Sequence, residues 1–316
     1  GRITLLVGRP GEGKSFVTTD IVARITTGRP WPDGSPCPRG SVILVSAEDD
    51  PADTIRPRLD AHGADVSRVH LLSAVRRTSD TGETAEVMFK LADVFALEAA
   101  LQAQADCKLI VVDPIGSFLG GKTDAHRDNE VRGVLAPVAR LAEKYGSAVL
   151  VVAHRSKSAG SIADDLVLGS RAFTGIARAV WHLTRDSEDK ARRLLLPGKN
   201  NLAPEGTGLA FRIGGEPVAV AWEPGSVSMS ADDALAAENA TAPNEKPGPE
   251  PEARNAAAAW LRELLRSGPM PAGDVKNEAH AAEYGWRTVQ RAAESIGVRR
   301  RKCSFGGGWT WELPAE

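Results

Sequence analysis

Apolar and polar positions alternate in blocks along the first two-thirds of the chain. ITLLV (3–7), VILVS (42–46), LIVV (109–112) and AVLVVA (148–153) are short continuous apolar runs, and AVWHL (179–183) is a fifth. Stretches of helical character lie between them, at 14–27, 51–62, 84–104 and 128–145. Apolar strands separated by helices predict an α/β fold, a mostly parallel sheet covered by helices on both faces. Residues 192–222 have a different rhythm. Short runs broken by Gly, Pro and Asn predict antiparallel hairpins at the sheet edge.

Residues 226–253 are Ala, Asp, Glu, Pro, Asn and Ser with almost no large apolar side chain, which predicts a flexible acidic linker. Helical periodicity returns at 255–266, 272–283 and 286–296, followed by a strand, a glycine turn and a second strand. Three helices and a hairpin predict a small winged helix-turn-helix domain. Val289, Ala292, Ala293 and Ile296 share one face of the last helix and are assigned to its core. Arg287, Gln290 and Arg291 fall on the other face, where they would meet a major groove. Arg299 to Lys302, Arg300 among them, would meet phosphates. Trp260, Trp286, Trp309 and Trp311 are read as core residues. The expected domains are therefore 1–225, the linker 226–253, and 254–316.

Composition adds limits. The 316 residues, 42% hydrophobic, suffice for one large core and one small one. The net charge of −2 excludes a polycation, but it is unevenly spread: 1–225 is balanced, 226–253 acidic, and the remainder mildly basic. A basic tail piece hints at a nucleic-acid partner. Cys37, Cys107 and Cys303 are odd in number and in no metal-ligand spacing, so a reducing cytoplasm is expected rather than a disulfide framework. No apolar run approaches the roughly 18 residues a membrane span needs, so no membrane partner is expected. A chain that opens on Gly1 just before a buried strand is expected to be a fragment lacking N-terminal residues.

The chemistry begins where the first strand ends. Gly8-Arg9-Pro10-Gly11-Glu12-Gly13-Lys14-Ser15 matches G-x-x-x-x-G-K-[ST], with Phe16 following in the helix. Glycines let backbone N–H groups curl around the phosphates of ATP, and the helix N-terminus adds its positive end. Lys14 is expected to reach the β- and γ-phosphates and Ser15 to bind Mg²⁺. Asp113 ends the run LIVVD, where a parallel sheet would place its carboxylate beside that Mg²⁺. Pro114 follows it, so a water-activating acid must come from elsewhere. Glu48, at the end of VILVSAE, is the candidate. Asp49 and Asp50 are alternatives, though Asp50 before Pro51 suits a helix N-cap. His154, at the end of AVLVVA, could sense the γ-phosphate.

GRPGEGKS, SAEDD, LIVVDP, VVAHRSK and GSRAFTGIARAVWHL, in that order over about residues 1–222, resemble the RecA-like ATPases of plasmids and phages typified by the RepA-type hexameric replicative helicases. The resemblance implies a homo-oligomeric ring, a hexamer, with ATP between subunits and translocation along single-stranded DNA. A primase or replication initiator would be a partner. It assigns Lys14, Ser15 and Asp113 to nucleotide and metal, Glu48 to water activation and His154 to sensing. A neighbouring subunit should supply an arginine, Arg178 or else Arg171. Where many relatives carry Lys-x-Arg, this chain has Lys199-Asn200-Asn201, which leaves the second trans-acting arginine without a residue. Loops 119–132, with Lys122 and Arg127, and 155–165, with Arg155 and Lys157, are expected to line a DNA channel electrostatically. Two other readings compete with the motor: a regulatory ATPase that uses ATP as an assembly switch, and a DNA-binding regulator with little turnover. A small-molecule kinase is disfavoured by the long interval from Lys14 to Asp113 and the absence of an arginine-rich lid.

Overall fold

A computed structural model of the chain describes residues 1–78, 84–121, 123–125, 127–155, 162–167, 171–204, 206–241, 251–282, 284–302 and 309–314. Its contacts divide the chain into two units, Gly1–Thr241 and Ala242–Glu316.

In the first unit, β1 (Ile3–Gly8) leads into α1 (Lys14–Thr27), and β2 (Ser41–Ser46) into a π-helical turn at Pro51–Ile55 and α2 (Arg56–Ala61). Next come β3 (Val69–Leu71), β4 (Ala74–Thr78), β5 (Thr84–Met88), α3 (Val94–Ala103) and β6 (Cys107–Asp113). The chain continues through α4 (Asp128–Tyr145), β7 (Ala148–His154), α5 (Ala172–Ile176) and β8 (Ala179–Arg185). It closes with β9 (Arg192–Asn200), β10 (Leu209–Gly214), β11 (Ala219–Trp222) and α6 (Ala231–Thr241). The main sheet runs β11-β10-β9-β8-β1-β7-β6-β2-β3. Pairing is parallel from β8 to β3 and antiparallel from β8 out to β11. This is a RecA-like α/β sheet with an antiparallel extension.

Strand alternation explains the two-sided cover. Leu5 and Val7 of β1, Ile43 and Val45 of β2, and Val149 and Val151 of β7 pack in one core with α3 and α4. Leu6, Val42, Leu44 and Val152 pack in a second core with Val17, Val22 and Ile25 of α1. Both faces of each central strand are dry, which is why these strands read as unbroken apolar runs.

Three expectations need correction. Residues 84–104 are not one helix. Thr84–Met88 pairs antiparallel with Ala74–Thr78, and the helix starts at Val94, after a turn in which the Asp93 carboxylate accepts the Lys90 N–H. Cross-strand pairing and the fully buried Phe89 prevail over the local helix propensity. Residues 226–253 are not a linker throughout, because 231–241 form α6. Ala231, Ala234 and Leu235 recur at helical spacing and bury against Leu194, Leu196 and Ala210. A stripe of small residues suffices to dock a helix, and a search for large apolar side chains overlooks it. Ser230 starts α6 by accepting the Asp233 N–H. Trp309, finally, is 53% exposed and not a core residue.

The second unit holds α7 (Pro251–Leu264), β12 (Met270–Pro271), α8 (Ala272–Ala281), α9 (Trp286–Ser295), β13 (Arg299–Lys302) and β14 (Trp309–Glu312). The strands form an antiparallel sheet, β12-β14-β13. Its core joins Leu261, Leu265, Val275, Val289 and Trp311, with Trp260 and Trp286 partly buried against them. No helix among the described residues is long and apolar enough to cross a membrane. Cys37 and Cys107 are free thiols.

Candidate active site

Register places the chemistry. Gly8 of β1 pairs with His154 of β7, and Ser46 of β2 pairs with Asp113 of β6. The last residues of these parallel strands therefore share one edge of the sheet, and the loop 9–13 and the acids after β2 rise from that edge. A cavity of ≈ 330 Å³ opens there, lined among others by Gly11, Gly13, Lys14, Ser15, Phe16, Glu48, Asp113 and His154.

The loop conformation depends on its glycines. Gly13 has φ +102° and precedes the first residue of α1; a Cβ there would also lie 2.5 Å from Ile213 Cδ1. Gly11 has φ +76° with open space where a Cβ would project. At Gly8 a Cβ would lie 2.7 Å from Glu12 Oε2, because the Glu12 carboxylate folds back under the loop. Glu12 Oε2 accepts the Arg9 N–H. The outer carbonyls of the loop are held by arginines: Arg185 Nη2 donates to Gly11 O at 3.2 Å and Arg193 Nε to Glu12 O at 3.0 Å.

Lys14 is 7% exposed. Its Nζ donates to Gly8 O and Arg9 O, both at 2.9 Å, and lies 3.3 Å from His154 Nδ1. Burial lowers its pKa, opposed by the charges of Glu12, Asp113 and Glu48. An ammonium has no lone pair, so His154 Nδ1 accepts and the imidazole proton sits on Nε2. That nitrogen is 4.0 Å from Glu48 Oε1. Burial, then the charge of Lys14, lower the His154 pKa, which favours a neutral ring. Burial raises Asp113 to about 6, against the pull of Lys14 and a hydrogen bond from Ser15, and Asp49 and Glu48 push it the same way as burial.

The three acids after β2 divide their roles. Asp50 caps the next turn, accepting from Ala52 N at 2.7 Å and Asp53 N at 3.1 Å. Asp49 pairs with Arg58 at 2.6 Å. Glu48 does neither, and its carboxylate faces the cavity beside His154. Phe16 carries the Arg58 guanidinium 5.0 Å above its ring. Pro10 lines the mouth.

The donor set fits a hydrated Mg²⁺: one hydroxyl, Ser15, and one buried carboxylate, Asp113, with Glu48 and Asp49 adding negative potential, and room left for phosphate oxygens. Asp113 held near 6 by burial is the counterpart of that fit, since a cation would offset its desolvation.

Other expected residues lie elsewhere. Arg155 requires correction. Its side chain is 2% exposed and pairs with Glu12 at 3.3 Å and Glu238 at 2.6 Å, so it is committed inside the fold and not offered to DNA. Lys122 and Lys157 lie outside the described residues. Arg127 is exposed and pairs with Asp124 and Glu130. Arg178 is exposed at the start of β8, where its N–H bonds Ile3 O, at the opposite end of the strands from the loop. It does not reach the loop of its own chain. Arg171 pairs with Asp165 at 3.2 Å. Lys199 Nζ donates to the carbonyls of Thr174 and Ala177, which fixes it on the end of α5. In the second unit Arg287 and Arg291 are exposed on α9, with Gln290 half-buried between them. Arg300 is not a free basic side chain: it stacks 4.8 Å from the Trp311 ring and faces Glu294 at 3.8 Å.

Arg58, Arg185, Arg193 and Glu238 join the site without any signal in the sequence that marks them. Arg185 and Arg193 are register partners on β8 and β9, and β8 is the neighbour of β1. Only the strand order makes them loop residues, so no local motif announces them.

A family model described as an AAA domain matches residues 1–160, just over half of the 316 residues. The match contains the loop, Glu48, Asp113 and His154. No curated protein matches the chain.

Proposed function

The chain belongs to the AAA-domain family, and on that premise we propose that it is an ATP-driven translocase on single-stranded DNA, a helicase of the kind mobile elements use for replication. The ATPase part of this reading rests on one observation: Lys14, Ser15, Asp113, Glu48 and His154 line or border one cavity at one edge of the sheet. Bound Mg²⁺ would supply charge neutralisation on the β- and γ-phosphates. The protein's residues do the rest. The N–H groups of the loop and the first turn of α1 cradle the phosphates, and Lys14 leaves its carbonyl partners for them. Ser15 and Asp113 hold the metal. Glu48 orients the attacking water, and His154, between Lys14 and Glu48, links the two.

The motor part rests on the order of motifs that resembles the hexameric helicases; in that reading the exposed Arg178 would act on a second copy across a ring interface. The second unit, three helices and a three-stranded sheet with Arg287 and Arg291 exposed on α9, is read as a winged helix that touches duplex DNA. A primase or replication initiator is a candidate partner of the chain.

Steady-state ATP hydrolysis with and without single-stranded DNA tests the reading, with Glu48→Gln as the blank. The motor predicts strong stimulation by DNA in the wild type and loss of about 100-fold or more in Glu48→Gln, with ATP binding kept. A low rate unchanged by DNA, in a preparation shown to form rings, would sink the motor and favour a regulatory ATPase.

A further inference from the structure

The loop that carries the motif is tied to a helix far from it in sequence. Glu238 stands on α6, more than 220 residues after the loop. One of its carboxylate oxygens pairs with Arg9 Nη1, and the other lies 2.6 Å from Arg155 Nη2. The same Arg155 nitrogen is 3.3 Å from Glu12 Oε1, and the second Glu12 oxygen holds the Arg9 N–H. The circuit closes: Arg9, Glu238, Arg155, Glu12 and back to Arg9. With Glu12 ionised, two cations and two anions make it neutral. Glu12 and Arg155 are almost wholly buried, so each needs its partner; a dry charge left alone is strongly unfavourable.

Two further details show how little slack the circuit has. The Nε atoms of Arg9 and Arg155 are buried and lack a hydrogen-bond partner, so each guanidinium already makes fewer bonds than it could. The helix that supplies Glu238 is also seated by apolar contacts of Ala231, Ala234 and Leu235, by a bond from Ala163 N to Asp232 Oδ1 at 2.7 Å, and by the Thr184 hydroxyl, 3.4 Å from Glu238 Oε2. Its charged grip on the loop is Glu238.

We propose that Glu238 is a positioning residue of the nucleotide site: it fixes Arg9, Glu12 and Arg155 in the arrangement that shapes the phosphate loop, and so couples nucleotide binding to the docking of α6. This rests on the reading of residues 8–15 as a nucleotide site. Glu12 joins the two. Its backbone belongs to the phosphate cradle and its side chain to the circuit, so a shift in one moves the other. Coupling of this kind is reciprocal. If docked α6 favours the binding shape of the loop, nucleotide favours docked α6. Because α6 is the last element of the first unit, the occupancy of the loop is written into the segment from which the chain leaves for the second.

Two measurements on the full chain test this. Mg-ATP binding is titrated by calorimetry for wild type, Glu238→Ala and Glu238→Gln. Amide hydrogen exchange across 231–241 is followed with and without Mg-ATP. The proposal expects about tenfold weaker binding in Glu238→Ala, a smaller loss in Glu238→Gln, which keeps one acceptor oxygen, and slower exchange in α6 of the wild type when Mg-ATP is added. A residue that merely stabilised the fold would give α6 no more protection than the general slowing that nucleotide binding confers on the rest of the first unit, so the coupling is read from protection of α6 in excess of that. Wild type that binds Mg-ATP without that excess protection of α6, or Glu238→Ala that binds as tightly as wild type, overturns the proposal. Wild type that does not bind Mg-ATP overturns the nucleotide reading itself. The exchange comparison uses no variant, so it decides even if Glu238→Ala fails to fold.

Discussion

The loop edge of the first unit and the outer face of α9 in the second both collect charged residues, yet they hold them differently. At the loop edge, Lys14, Glu12 and Arg155 are each less than one-tenth exposed. Burial raises Glu12 to about 7 and Asp113 to about 6, and it lowers Lys14. On α9, Arg287 and Arg291 stand in solvent above an apolar face formed by Val289, Ala292 and Ala293. Dry charges are held at an energetic disadvantage that a ligand of opposite charge can relieve, so the loop edge is suited to bind and stabilise reacting phosphates. Wet charges attract a polyanion over a distance and are screened by salt, which is the behaviour the docking role proposed for α9 requires.

The largest test of that contrast is Lys14→Ala. It removes the ammonium expected to reach the phosphates, and hydrolysis is expected to fall by about 100-fold or more, while the proposed binding of the chain to duplex DNA persists. Parallel loss of both would show that the two regions are not separable. Gly13→Ala comes next. It forces a side chain to φ +102° and into Ile213. A destabilisation of about 2 kcal/mol is expected, a fall in Tm of about 4–8 °C. Gly63→Ala, with φ +70° but open space at Cβ, serves as the control that isolates the clash. An equal loss in both would remove the clash with Ile213 from the explanation.

Much of the first region could be read from the chain because its signals are local. The loop motif, the strand before it and the helix after it are consecutive in sequence. Asp113 and His154 close apolar runs, and a parallel sheet brings such ends together. The antiparallel extension was equally legible, from Gly and Pro between short runs. What was not legible depends on strand order or on partners far along the chain. Arg155 has the look of a mobile basic loop residue until Glu12 and Glu238 are placed against it. Alanine stripes have no strong hydrophobic signature, which hid α6 inside an apparent linker. The helix expected over 84–104 failed for the opposite reason: local propensity favoured a helix, and pairing with Ala74–Thr78 decided otherwise.

On the other side of the comparison, replacing Arg287 and Arg291 together by alanine should weaken duplex binding several-fold and lower the salt slope by about 2, one for each phosphate no longer neutralised. Both side chains are exposed, so stability should change by no more than about 0.5 kcal/mol. Binding isotherms at several salt concentrations decide this. An unchanged slope would leave α9 as an ordinary solvated face.

The last effect is a matter of pH, and it is read from Glu12. Its usual carboxylate pKa of 4.5 is raised to about 7 by burial, which outweighs the pull of Arg155. The folded chain therefore holds this proton more tightly than the unfolded chain does. The stability it contributes is fully present below pH 4.5 and is lost as pH rises through about 7. The whole shift corresponds to about 3 kcal/mol at most. Glu12→Gln cannot titrate, so its Tm should decline less than that of wild type between about pH 4.5 and 7.5, by at most about 6–12 °C over the interval. Asp113, raised to about 6, contributes a decline of the same sign in both proteins and cancels in the difference. The matching change on α9, Arg291→Gln, removes a charge that is already in water and should leave the wild-type profile parallel. Scanning calorimetry of the three proteins without nucleotide separates the cases. If Glu12→Gln also runs parallel to wild type, the loop edge is wetter than its packing implies, and the distinction between dry and wet charge loses its best-isolated member.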